Sequence, residues 1–480
     1  MLLCIITACN SKPTAAVVAD SLPQIFPDYV GVTIPADIAP LNFSVQHADA
    51  VYVTVSGSKG GTITASGDYA DFDIDDWHAL TAQNRGGELT VTVFSKSDGQ
   101  WTQHRDFPIY INKVGLDEWG LTYRRIAPGY EVYSHMGLYQ RCLSTFCEEP
   151  VIDNRQVPGM CVNCHTANRT SPDAFVFHVR GDHGATVVQR NGHRELLQAR
   201  NDLLGGSMVY PYWHPSGRYV AFSTNQTRQG FHVGRPDTLA YKRIEVFDLS
   251  SDIFVYDVET HQTIRDSLVM TADWSENVPT FSPDGRWLYF ITCRQKSYPM
   301  EYRDEQYNLC RVAFDAERGR LGNKVDTLFD AVGQGKSVTW PRPSYDGRYL
   351  LFTLQDYGYF SIWHDESEQW LLDLTTGSAR PADEINSPRA DSYHNWSTNS
   401  RWVVFTTRRD DGLYSRLYLA AINENGRFSK PFLLPQRNPQ QYYGRTLYSF
   451  NTPDFTSQRV DFDSRAAARE ISSDKRTATK

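Results

Sequence analysis

Five consecutive residues, Cys161-Val162-Asn163-Cys164-His165, carry the most specific chemistry in the chain. Two thiols three positions apart can reach the two vinyl-derived carbons on one edge of a porphyrin. The imidazole that follows is then placed to bind its iron, which is the spacing of covalent haem c attachment. With 8 Cys and 13 His among 480 residues, such a match arises by chance about 0.004 times per chain. Three other chemistries use the same residue types. A redox-active C-x-x-C pair wants a strand before it and a helix after it, whereas Val157-Pro158-Gly159 and Asn168–Pro172 read as loop. A zinc site needs further ligands at short spacing; His178 and His183 are candidates, but no second C-x-x-C exists. A plain Cys161–Cys164 disulfide is the third. In the haem reading His165 is the proximal ligand, and His178, His183 or His135 is the candidate second ligand. A five-coordinate iron is the alternative, and the sixth position decides between electron transfer and ligand binding.

The attachment segment resembles that of c-type cytochromes over about ten residues and not beyond. Such a resemblance implies one covalent haem c grafted onto another fold. The other cysteines fall into close pairs, and an even count suits an oxidising compartment. Disulfides are expected for Cys293–Cys310 and Cys142–Cys147. The start, MLLCIITACN followed by Ser11-Lys12-Pro13-Thr14, resembles the end of a bacterial lipoprotein signal, with Ile6-Thr7-Ala8-Cys9 as its lipobox. That resemblance implies a lipid on Cys9, a membrane anchor, and a place in the bacterial cell envelope facing the periplasm. The apolar core is short and lacks a basic stretch before it, as a start called downstream of the true one would leave it.

Repeats indicate the scaffold that must position these residues. Pro211-Tyr-Trp-His-Pro-Ser-Gly217-Arg-Tyr-Val-Ala-Phe returns as Pro279-Thr-Phe-Ser-Pro-Asp-Gly285-Arg-Trp-Leu-Tyr-Phe. It returns again from Pro341 through Gly347, and from Tyr393 through Ser400. Ser171–His178 is a fifth copy without the glycine. The glycine marks a turn that tolerates a left-handed backbone, and the aromatic and β-branched run after it is a buried strand. Such units cannot bury both faces alone, which favours radial stacking. The Ser-Pro-Asp-Gly-Arg-Trp wording of Ser282–Trp287 resembles the TolB-like β-propellers. The fold class is therefore all-β: a six- or seven-bladed propeller over residues 113–455, with the haem-attachment loop near 158–170. Alternating runs at Ala50–Ser56 and Glu88–Phe94 predict a small β-sandwich over 37–112. Residues 1–9 are the signal, 10–36 a tether, and 456–480 a disordered tail.

Composition bounds the rest. The net charge of −8 gives no electrostatic footprint for nucleic acid, and no apolar run reaches the ~18 residues of a membrane span. Neither G-x-S-x-G nor H-E-x-x-H occurs, and Gly333–Ser337 lacks the first glycine of a phosphate loop. His214 and His394 recur in the repeats and are expected to hydrogen-bond to neighbouring blades. Asp410-Asp411, after Arg408-Arg409, is expected to be a solvated charged loop, with a place lining the central channel as the alternative. No residue is assigned a catalytic role. The expected function is an envelope-anchored propeller carrying one haem c for electron transfer or redox sensing, with a redox or envelope protein as partner. The alternative is a haem-free propeller that binds a protein or ligand.

Overall fold

A computed structural model describes residues 12–127, 135–157, 159–198, 206–231 and 244–479. Chain contacts divide it into two units. The first comprises residues 1–116, 143–146 and 429–446; the second comprises 117–142, 147–428 and 447–480.

The second unit is a six-bladed β-propeller. Blade 1 takes Gly120–Ile126, Met136–Cys142 and Glu148–Asp153 from the N-terminal side, and its inner strand, Ser449–Thr456, from the C-terminal side. Blade 2 is Cys161–Asn168, Ser171–Arg180, Ala185–Arg190 and His193–Gln198. Blade 3 is Ser207–Trp213, Tyr219–Phe231, Ile244–Asp257 and Gln262–Ile264. Blade 4 is Trp274–Phe281, Trp287–Arg294, Asn308–Asp315 and Arg320–Phe329. Blade 5 is Ser337–Pro343, Tyr349–Gln355, Glu368–Asp373 and Ala379–Pro381, and blade 6 contains Asp391–Trp396, Trp402–Thr407 and Arg416–Ala421. Adjacent strands within a blade are antiparallel.

The repeated glycine does what its position requires. Gly217, Gly285 and Gly347 have φ of 70°, 74° and 72°, and Ser400 holds the same turn at 58°. Each turn joins an inner strand to the next strand outward. Ser171–His178 does lie on such an outward strand, but its turn is a tight one through Arg169 and Thr170, at φ of 48° and 66°. Packing between blades then buries the aromatic runs. Tyr219, Phe281, Phe290 and Phe314 fill the space between blades 3 and 4, and Tyr289, Phe352 and Trp340 that between blades 4 and 5.

The inner strands share a feature that their sequences scarcely advertise. Each carries a β-bulge with one residue in the left-handed region: Thr452, Cys164, Tyr210, Val278, Trp340 and Tyr393, at φ of 45–54°. The next residue is Pro453, His165, Pro211, Pro279, Pro341 or His394. Ladder register shifts across all six pairs. A bulge breaks the alternation of side chains, so two successive residues can face the central channel.

Several expectations need correction. The expected attachment loop near 158–170 is instead a strand over Cys161–Asn168, the inner strand of blade 2. The expected disordered tail at 456–480 is ordered over its described residues. Asp463 caps a helix over Ser464–Ser472, accepting from Ala466 N at 2.9 Å, and its Ala467, Ala468 and Ile471 are buried in the core of blades 1 and 2. Arg194 of blade 2 grips Glu470 with two bonds of 2.7 Å. The Cys293–Cys310 disulfide does not form. Phe290 is the cross-strand partner of Cys310, and the two cysteines pack into different cores on opposite faces of blade 4. The expected Cys142–Cys147 bridge is not formed either; the first cysteine is buried and the second exposed.

The expected sandwich is not what the first unit shows: it holds a seven-stranded mixed sheet, a two-stranded sheet of Ile25–Phe26 and Ser44–Val45, and the helices Ile74–Gln83 and Pro439–Arg445. Strands of the larger sheet run in the order Ala16–Val18, Gln100–Gln103, Glu88–Ser97, Ala50–Gly57, Thr62–Gly67. Phe107–Ile111 pairs with Glu88–Ser97 and, in parallel, with Thr33–Ile34. The helix Ile74–Gln83 starts at Asp73, whose carboxylate accepts from Asp75 N and Asp76 N, and it buries Trp77, Leu80 and Thr81. A capping aspartate ahead of a helical apolar stripe explains why this stretch is no strand. From residue 12 on, the expected tether at 10–36 instead supplies short strands to this unit. Cys9, with the signal, lies outside the described residues.

Candidate functional site

The bulges converge on a cavity at the channel. Thr452, Cys164, Tyr210 and Tyr393, from blades 1, 2, 3 and 6, all line it. Asn163 and Asn451, the residues before two of those bulges, line it too, as the broken alternation allows. Its volume is about 140 Å³.

Charge sets this cavity apart. Arg124, Arg180 and Arg408 line it, and no aspartate or glutamate does among the described residues. Arg124 Nη2 lies 3.3 Å from Cys161 Sγ and 3.5 Å from Met136 Sδ. Arg180 is the cross-strand neighbour of Cys161. Arg408 is 2% exposed, and its guanidinium lies 3.6 Å from the centre of the Trp363 ring. Arg408 and its neighbours are thus no solvated loop: Arg409 pairs with the buried Asp391 at 3.1 Å, and Asp410 with Arg416 at 3.7 Å. Burial pushes the Tyr210 and Tyr393 phenols well up, so both rings present neutral hydroxyls. Burial also pushes the Cys164 thiol up, against the opposing charge of Arg180.

The residues of the Cys-x-x-Cys-His stretch part company here. Cys161, Asn163 and Cys164 line the cavity; His165 does not. Its ring lies in the packing between blades, 6.0 Å from Phe175, and among the described residues neither nitrogen meets a partner at hydrogen-bonding geometry. Burial pushes its imidazole down to about 4, with the Thr122 backbone beside it favouring the proton and Arg124 opposing it. His165 therefore holds the place that Pro211, Pro279, Pro341, Pro453 and His394 hold in the other blades. Haem c needs both thiols and the imidazole on one macrocycle. A cavity of about 140 Å³ resembles the ~150 Å³ void that takes benzene, and it does not receive the histidine. These residues, as placed, do not fit the group.

The candidate second ligands are scattered. His178 is buried with Nδ1 3.0 Å from Thr186 Oγ1, His183 is paired with Asp474 at 2.8 Å, and His135 lies between Tyr448 (2.7 Å) and Asp153 (3.1 Å). None lines the cavity. Among the described residues no group of three or more His, Cys, Asp or Glu is arranged to hold a metal ion. His214 and His394 do bond to neighbouring blades, through Gly285 O at 3.1 Å and Leu351 O at 2.8 Å, although they occupy different positions of the repeat.

Arg124 and Arg180 were not singled out from sequence. The available signal was the dipeptide of a bulge residue followed by Pro or His. It extends each repeat copy by one residue and would have placed Cys164 beside Tyr210 and Tyr393.

No protein-family model matches the chain, and no curated protein does. Among solved structures, an oligogalacturonate lyase in complex with manganese is 10% identical, over 65% of this chain and 72% of its own, at a TM-score of 0.36. The periplasmic gluconolactonase of Pseudomonas aeruginosa is 16% identical, over 70% of this chain and 99% of its own, at 0.35. A puromycin-hydrolyzing peptidase of Mycobacterium tuberculosis is 13% identical, over 88% of this chain and 57% of its own, at 0.34. Likeness at this level carries no inference about ligand or chemistry. The six blades rest on this chain's own strand order.

Proposed function

We propose that the propeller is a binding scaffold and that its channel cavity takes a small organic carboxylate. One observation carries the reading: three arginines meet in one cavity that no carboxylate of the described chain lines. Arginine presents a planar fork of donors that matches a carboxylate. The rings of Tyr210, Tyr393, Phe360 and Trp363 offer apolar walls for the rest of such a ligand. The volume suits a molecule of about the size of benzene. In this reading the protein acts in the cell envelope, held by a lipid on Cys9.

Calorimetry with benzoate and malonate tests it. Binding by at least one of them is expected, weakening as salt rises and falling about tenfold or more in Arg180→Gln. Arg180 suits the test because no hydrogen bond or ion pair to another described side chain holds it. Binding of neither probe, or binding unchanged in that variant, defeats the proposal. The anchor is tested separately by detergent-phase partitioning of the exported protein, which Cys9→Ser should abolish.

A further inference from the structure

The cavity holds a second chemistry that its arginines do not explain. Three sulfur-bearing residues line it, Cys161 and Cys164 on the inner strand of blade 2 and Met136 on blade 1. Cys161 Sγ accepts from Asn163 Nδ2 at 3.2 Å and from Arg124 Nη2 at 3.3 Å, and that same Nη2 is 3.5 Å from Met136 Sδ. Cys161 and Met136 are buried, Cys164 half-buried. The bulge brings Cys164 to the channel, where strict alternation from Cys161 would have turned it away.

We propose that the reduced propeller binds one Cu(I) ion through the sulfurs of Cys161 and Cys164, with the Met136 thioether beside them. Thiolate and thioether are the soft ligands that select monovalent copper. Zinc requires about four ligands, and the described residues offer no cluster of nitrogen, oxygen and sulfur donors of that size. Charge points the same way. Two thiols and Cu⁺ give a bis-thiolate complex of charge −1 and release two protons to solvent, with no change of oxidation state. Arg124 and Arg180 favour an anionic complex and repel an uncompensated dication. This inference is independent of the carboxylate reading, but both use the same positive field. Bound copper should therefore weaken carboxylate binding.

The full chain, reduced and kept free of oxygen, is titrated with Cu(I) buffered by bicinchoninate. One equivalent should transfer to the protein. Cys161→Ser and Cys164→Ser should each weaken it about a hundredfold and Met136→Leu about tenfold, while Cys147→Ser leaves it unchanged. Absorption at the copper edge of the loaded wild type, which needs no variant to fold, should show sulfur neighbours alone. No transfer to the wild type, nitrogen neighbours, or copper retained when both cysteines are replaced overturns the proposal. Benzoate binding is measured on the metal-free protein, so either reading can fail while the other stands.

Discussion

In blade 6 the bulge pair is Tyr393-His394; in blade 2 it is Cys164-His165. Both first residues sit in the left-handed region and face the cavity, and both histidines turn into the packing between blades. The imidazole of His394 donates Nε2–H to Leu351 O at 2.8 Å and is wholly buried, and its pKa is pushed down to about 3 by that burial. His165 is almost as buried, but among the described residues its nitrogens meet no partner at full hydrogen-bonding geometry, only the Thr122 backbone beside it. In the other four blades proline takes this place, having no N–H to satisfy at a bulge. The comparison separates two roles that the sequence ran together. The histidine of the Cys-x-x-Cys-His stretch is part of how blades stack, and the cysteines line the channel cavity.

The largest expected effect comes from breaking the satisfied partner. His394→Ala leaves a void and an unpaired buried carbonyl, and should cost about 4 kcal/mol in denaturant unfolding. His165→Ala loses packing without a hydrogen bond, and about half that is expected. Equal losses would mean that the two positions are equivalent after all.

Acid titration sharpens the contrast next. His165 is held neutral down to a pKa of about 4 in the fold, while an unfolded histidine protonates near 6.5. Below that value the unfolded chain binds the extra proton, so stability falls as pH drops from about 6.5 to 4. His165→Leu should remove up to about 3 kcal/mol of that fall relative to wild type. Unfolding midpoints of the two proteins across this window give the difference directly. An unchanged acid limb would place His165 in a wetter or better-partnered site.

The smallest effect tests the turns outside these bulges. Ser400 takes the left-handed turn that Gly217, Gly285 and Gly347 take elsewhere, while its Oγ accepts from Asp346 N at 2.9 Å. Ser400→Gly relieves about 1 kcal/mol of backbone cost and loses a hydrogen bond of about the same worth. Thermal unfolding should shift little in either direction. A clear loss would show that the side chain had become the main term.

The propeller was legible because its evidence is periodic: turn glycines at Gly217, Gly285 and Gly347, each followed by a buried aromatic run. Nothing in that period exposed the bulges, since a left-handed Val278 or Trp340 looks like any strand residue until its register is known. The cavity was illegible for a related reason. Arg124, Arg180 and Arg408 come from three blades, and only closure of the ring brings them together. The Cys-x-x-Cys-His spacing misled because its histidine also satisfies the repeat. The helix at Ser464–Ser472 was hidden by composition, since its short alanine stripe reads as weakly apolar.

Blade 1 is completed by a strand from each end of the unit, and Asp454 on the last of them explains how the seam holds. Its carboxylate takes Ala167 N and Thr166 Oγ1 of blade 2 at 3.1 and 3.2 Å, and Asn395 Nδ2 of blade 6 at 2.7 Å. Five blades and most of a sixth must therefore wait for the final inner strand before the ring can shut. Closing a loop of that length is slow, because its contacts are distant in sequence and reward the chain only at the end. Until then the walls of the cavity are not assembled, so any molecule that enters it can do so only once the whole circle is complete.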